Sequence, residues 1–97
     1  MTNWFITRHP GAIEWAARRG LTVDRLIPHL DPADIRPGDT VIGSLPVNLA
    51  AEVCAGGARY LHLSLDLPED ARGIELTVEA MCRYGARVEE FRVERMR

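Results

Sequence analysis

The chain has 97 residues, 46% apolar and 27% charged, with 12 basic side chains against 14 acidic ones and a net charge of −2; this is the length of one domain and the usage of a globular protein, not of a disordered or low-complexity one. No apolar run approaches the ~20 residues of a membrane helix, and the first eight residues lack the cationic start and long apolar stretch of a secretory leader. The charge balance excludes duplex binding by bulk positive potential, so a soluble, cytoplasmic protein is expected, with neither a membrane nor a duplex nucleic acid as partner.

Residues 4–7, Trp-Phe-Ile-Thr, read as a first strand, because aromatic and β-branched side chains suit a pleated surface. Arg8-His9-Pro10-Gly11 breaks it, and a helix follows from Ala12 to Arg19 with Gly20 as its stop. Ala12, Trp15, Ala16 and Arg19 share one face of that helix, which reads Trp15 as core. Residues 25–30 read as a second strand, placed at an edge because Pro28 cannot donate to a ladder. A turn-rich connection then leads to a buried strand at Thr40-Val41-Ile42-Gly43. Ser44-Leu45-Pro46 ends it, and a helix runs from Val47 to Ala55, closed by Gly56-Gly57.

The next strand runs from Arg59 to Leu65, with Leu61, Leu63, Leu65 and Leu67 on one side and Tyr60, His62, Ser64 and Asp66 on the other. Pro68 to Gly73 reads as a loop, Thr77 as the N-cap of a helix to Tyr84, and Gly85 as its end. Residues 86–94 read as a last strand whose slipped alternation between Val88 and Phe91 leaves a bulge or a helix open. Arg92, Arg95 and Arg97 with Glu89, Glu90 and Glu94 read as a mixed-charge surface. Gly57-Ala58-Arg59 and Gly85-Ala86-Arg87 echo each other, each a helix stop that feeds a strand. Cys54 and Cys82 read as buried thiols, since no CxxC or Cys/His spacing suggests zinc.

This order, β-α-β-β-α-β-α-β, predicts an α/β Rossmann-like domain with about five mostly parallel strands flanked by three helices. There is no GxGxxG after the first strand and no Walker A sequence, which argues against a dinucleotide enzyme or a P-loop ATPase.

Open α/β sheets bind ligands at the carboxyl ends of their strands. Three segments fall there: Thr7 to Gly11 with Arg8, His9 and Pro10; Gly43 to Asn48 with Ser44, Leu45 and Pro46; and Ser64 to Asp66. They offer a guanidinium, an imidazole, hydroxyls, an amide and few acids, and helix starts add N–H groups that favour anions. That set suits a phosphate ester better than an amine or a metal, so neither a metal nor a cofactor is expected. All 12 basic residues are Arg, which leaves no Lys for Schiff-base or general-base chemistry.

Each residue also has a plainer reading. Arg8 could solvate the sheet edge, Pro10-Gly11 could simply start a helix, His9 could be an exposed structural histidine, and Ser44 and Asn48 could serve as helix capping and a first-turn amide. His62, Ser64 and Asp66 line up like a triad, but same-face neighbours on a strand lie about 7 Å apart, too far for a relay. His29 reads as incidental.

Ile6-Thr7-Arg8-His9-Pro10-Gly11-Ala12 with Trp15, the stretch from Gly38-Asp39-Thr40 through Ser44-Leu45-Pro46-Val47-Asn48-Leu49-Ala50, and Tyr60-Leu61-His62-Leu63-Ser64-Leu65 resemble the signatures of a small accessory family encoded beside type III CRISPR systems and regarded as ring nucleases. The resemblance covers essentially the whole chain. It implies a compact, CARF-like Rossmann domain, a homodimer, and cleavage of cyclic tetra-adenylate to linear di-adenylate, which switches off the antiviral alarm. For this chain it implies catalysis by Arg8 and His9, with Thr7, Pro10, Gly11, Gly43, Ser44, Leu45, Pro46, Asn48 and Ser64 at the substrate and Tyr60 or Trp4 stacking on adenine. The alternatives are a sensor or sequestering protein that binds the ring without cutting it, and an interaction subunit with no nucleotide affinity.

Overall fold

The computed structural model describes residues 1–71, 73 and 76–96. Arg97, part of the tail read as a mixed-charge surface, and residue 72 of the Pro68–Gly73 loop lie outside them. In chain order the elements are β1 (Asn3–Ile6), α1 (Pro10–Arg18), β2 (Arg25–Ile27), β3 (Thr40–Gly43), α2 (Val47–Ala55), β4 (Arg59–Ser64), α3 (Val78–Arg83) and β5 (Arg87–Phe91), with short 3-10 turns at Pro32–Asp34 and Glu69–Ala71. The five strands form one sheet in the order β2-β1-β3-β4-β5. The first four are parallel, and β5 runs antiparallel to β4. The expected α/β architecture is therefore the observed one.

β5 turns back because α3 ends beside the carboxyl end of β4. The Asp66 N–H donates to the Tyr84 carbonyl at 2.8 Å, so the chain re-enters the sheet from the end at which β4 left it. The tail forms a continuous ladder, Ser64 opposite Arg87 and Tyr60 opposite Phe91, and neither the bulge nor the helix left open by the sequence forms there. β2 is shorter than expected, since pairing stops at Ile27 just before Pro28, and it does lie at an edge.

Strand alternation sorts the apolar side chains onto two covered faces. Phe5, Ile42 and Leu63 pack beneath α1 and α3 with Trp15, Ala12, Ala16, Val78 and Met81, so Trp15 is core as its spacing predicts. Val41 and Tyr60 pack beneath α2 with Ala50 and Val53, with Trp4 and Ile6 at the margin. α3 turns Val78 and Met81 inward and leaves Cys82, one residue further round the helix, exposed. Cys82 is thus not a buried thiol, and Cys54 is only half-buried, its Sγ accepting from the Val93 N–H at 3.4 Å.

The echoed Gly-Ala-Arg segments are one device. At each of the three helix ends a glycine with positive φ (Gly20, Gly57 and Gly85) is followed by a residue whose N–H reaches back to the last full turn: Leu21 to Ala16, Ala58 to Val53, and Ala86 to Met81. These are Schellman closures. In the last two, the alanine is buried and the arginine opens the next strand.

At the amino end of β3, Asp39 is a buried acid. Its carboxylate accepts from the Thr2 N–H at 2.9 Å, the Arg36 N–H at 3.0 Å and the Trp4 indole N–H at 3.1 Å. The Arg36 N–H first, then the Thr2 N–H, hold this carboxyl below its ordinary value, against the opposing effect of desolvation. A depressed carboxyl contributes stability that is present above the unfolded-state value, about 4, and is lost as pH falls through the lower folded value. Asp39→Asn, which places an amide N–H2 against N–H donors, should lower Tm at pH 7 and flatten the acid limb of a Tm-against-pH curve. An acid limb identical to wild type would show that Asp39 does not set it.

Candidate functional site

β1 lies between β2 and β3, so the connections leaving β1 and β3 diverge at the carboxyl edge of the sheet. This is the switch point at which open α/β sheets hold ligands. A cavity of about 540 Å³ opens there, within the roughly 300–1,000 Å³ of small-molecule sites. Thr7, Arg8 and His9 reach it from the β1–α1 connection, and Ser44, Leu45 and Pro46 from the β3–α2 connection. Pro28, His29 and Leu30 reach it from the end of β2, and Leu63, Leu65, Leu76 and Met81 supply an apolar floor. The titratable side chains on its wall are Arg8, His9 and His29, and no carboxylate lines it among the described residues. Nor, among those residues, does any cluster of three His, Cys, Asp or Glu side chains have the arrangement to hold a metal ion.

Each wall is fixed by bonds that the local sequence dictates. The Thr7 N–H donates to the Ile27 carbonyl at 3.1 Å, and its Oγ1 accepts from the His9 N–H at 3.2 Å, a turn that swings the chain off β1. His9 takes an extended N-cap conformation and Pro10 occupies the first turn of α1, where its missing N–H costs nothing. On the other wall Ser44 Oγ donates to the Leu63 carbonyl at 2.6 Å. The Leu45 N–H donates to the Tyr60 hydroxyl at 2.9 Å. That hydroxyl also bonds the Gly43 carbonyl at 3.1 Å and His62 Nδ1 at 2.5 Å. Burial pushes the Tyr60 phenol up, so it stays protonated as the shared node of this wall.

Several sequence-derived assignments change. Ser44 bonds β4 instead of capping α2, whose N-cap is Pro46 with no side-chain bond. Asn48 is exposed in the first turn of α2, and Ser64 ends β4 opposite Arg87; neither is among the cavity-lining residues. Gly43 and Gly11 are buried behind the wall. Tyr60 cannot stack on a base, because the residue is buried, only 2% exposed. Trp4 is likewise engaged elsewhere, its indole N–H on Asp39 and the Arg25 guanidinium 5.8 Å from its ring centre. His62 bonds Tyr60 and Asp66 pairs with Arg87, so no triad forms. His29 is the residue that sequence reasoning missed. Its signal was Pro28, which marks where the chain leaves the sheet.

The model of one protein family, described as "Putative CRISPR-associated protein (Cas_VVA1548)", matches residues 4–94. The chain belongs to this family. No curated protein and no solved structure matches it. The matched span of this CRISPR-associated protein contains every residue that lines the cavity.

Its Tyr60 hydroxyl gives a stability prediction. Tyr60→Phe leaves the Leu45 N–H and the Gly43 carbonyl without that partner, at a cost of about 1–2 kcal/mol. For a domain of this size Tm should fall by roughly 5–15 °C, read by thermal denaturation. An unchanged Tm would show that water replaces the hydroxyl without loss.

Proposed function

We propose that this chain is a metal-independent ring nuclease that opens cyclic tetra-adenylate by attack of a ribose 2′-OH on its own adjacent phosphate, yielding linear di-adenylate and ending type III CRISPR signalling. The observation that carries this reading is the sign of the cavity: its titratable wall is Arg8, His9 and His29, and no described carboxylate lines it. Such a wall attracts polyanions and repels cations. Membership of a CRISPR-associated family is in keeping with this reading, and cyclic tetra-adenylate as the anion is what the resemblance of the strand-end segments to ring nucleases implies.

In this reaction the 2′-oxygen–phosphorus bond forms as the phosphorus–5′-oxygen bond breaks, leaving a 2′,3′-cyclic phosphate and a free 5′-OH. Rate comes first from holding the attacking and leaving oxygens in line. The Arg8 guanidinium offers a fork of donors to the non-bridging oxygens as their charge grows. His9 is the acid–base candidate from the β1–α1 connection. Thr7 and Ser44 are polar contacts on the two walls, and the first turns of α1 and α2, with Gly11 and Asn48, bring backbone N–H groups to the same edge, Pro10 serving only to start α1. A cavity of about 540 Å³ suits one drug-sized ligand. A ring of four nucleotides is larger, so two copies of the chain related by a two-fold axis would each take half of it. A cytoplasmic homodimer goes with this reading.

The alternative is a protein that binds the ring and leaves it whole. One observation favours it: the His9 side chain makes no capping hydrogen bond that would fix its orientation. Incubation with radiolabelled cyclic tetra-adenylate in EDTA separates the two. Linear di-adenylate supports the nuclease, intact ring retained on the protein supports the binder, and intact ring with no retention removes both.

A further inference from the structure

We infer that His29 is the second acid–base residue of the proposed reaction, paired with His9 so that one imidazole takes a proton while the other gives one. This rests on the ring-nuclease reading of the same cavity.

His29 comes from a different connection than His9, yet the sheet delivers both to one place. β2 pairs with β1 through Ile6 and Ile27, and the Thr7 N–H donates to the Ile27 carbonyl at 3.1 Å. The segments leaving β1 and β2 therefore start side by side. Pro28 has no N–H to continue the ladder, so the chain departs there and His29 follows at once. His29 is exposed, as is His9, and both line the cavity.

The chemistry asks for two groups. Attack requires loss of the 2′-OH proton, and departure of the 5′-oxygen requires gain of one. In an in-line displacement these two oxygens lie on opposite sides of phosphorus, so a single imidazole cannot reach both at once. With two, the neutral imidazole accepts the 2′ proton and the imidazolium donates to the 5′-oxygen. The proton count at the site is unchanged, and exchange with water resets the pair. Arg8 and His9 are the titratable groups that line the cavity with His29, and Asp31, two residues along the chain and outside that lining, accepts from the Ala33 N–H at 3.0 Å. Arg8 and His9 face the cavity from the β1–α1 connection, while the β3–α2 wall offers Ser44 and Leu45 and the β4 and α3 floor is apolar. No described acid on that wall competes for the imidazolium.

The test compares wild type, His29→Gln and His9→Gln in single-turnover cleavage of cyclic tetra-adenylate across pH, with binding of the same ring measured alongside. Wild type should show a rate that falls on both sides of an optimum. His29→Gln should cleave roughly 100- to 10,000-fold more slowly, bind the ring within about threefold of wild type, and lose one limb of the pH profile; His9→Gln should lose the other. Because His29 is exposed, Tm should stay close to wild type and separate this from misfolding. A His29→Gln protein that cleaves at the wild-type rate with both limbs intact overturns the inference while leaving the nuclease reading in place. A wild-type protein that leaves the ring whole overturns both.

Discussion

Arg8→Ala should slow opening of cyclic tetra-adenylate by about 100- to 1,000-fold and leave the fold untouched. The scale is that of removing one preorganised donor from a site where negative charge builds in the transition state. Arg8 is exposed on the cavity wall and joins no ion pair among the described residues, so its removal should shift stability by no more than about 0.5 kcal/mol. Arg8→Lys should recover only part of the rate, because an ammonium keeps the charge but lacks the planar fork that grips two phosphate oxygens. Single-turnover rates at saturating protein, with Tm measured in parallel, check both statements. Wild-type cleavage by Arg8→Ala would remove Arg8 from the mechanism, and loss of cleavage together with loss of Tm would mean that Arg8 holds the fold.

Gly11→Ala, just behind the cavity wall, should produce a large loss of stability. An added Cβ would collide with the Leu76 carbonyl oxygen and sit 3.0 Å from the Leu76 and Thr77 carbonyl carbons. These are backbone atoms at the start of α3, with no flexible side-chain end to move aside. Overpacking of this kind costs about 1–3 kcal/mol, and the rigid obstacle puts Gly11 at the upper end. The matching fall in Tm is roughly 10–20 °C. The glycine is thus explained by the close approach of α1 to the segment entering α3, two elements that share the core around Trp15 and Met81. Unchanged Tm with lost ring binding would reverse that assignment and make Gly11 a point of ligand approach.

Much of this architecture is legible in the chain because Gly and Pro punctuate it. β3 and α2 fall at Thr40–Gly43 and Val47–Ala55, the bounds expected from the Gly43-Ser44-Leu45-Pro46 break and the Gly56-Gly57 stop. Thr77 caps α3 as expected, its Oγ1 accepting from the Ala80 N–H at 3.1 Å. The strand-end segments with Arg8, His9 and Ser44 do meet at one cavity. What stayed hidden depends on which strands are neighbours. His29 joins the site only because β2 lies beside β1, a pairing that no local pattern encodes. The Tyr60 hydroxyl serves the β3–α2 connection from a neighbouring strand, so its residue type alone suggested base stacking. Ser44 was ambiguous for the same reason, since its partner is a carbonyl 19 positions away on β4. The antiparallel turn of β5 follows from where α3 ends, which strand-helix alternation does not specify.

The proposed function requires that the segments leaving β1, β2 and β3 form one cradle for a cyclic oligonucleotide. Amide chemical-shift mapping of the ¹⁵N-labelled protein titrated with cyclic tetra-adenylate, in the His29→Gln background to slow turnover, tests it most directly. The largest shifts should cluster within residues 7–12, 28–30 and 43–49. Shifts centred instead on a second groove, lined by Ala51, Glu52, Cys54 and Ala55 of α2 and by residues 92–95, or none at saturating ligand, would contradict the proposed site.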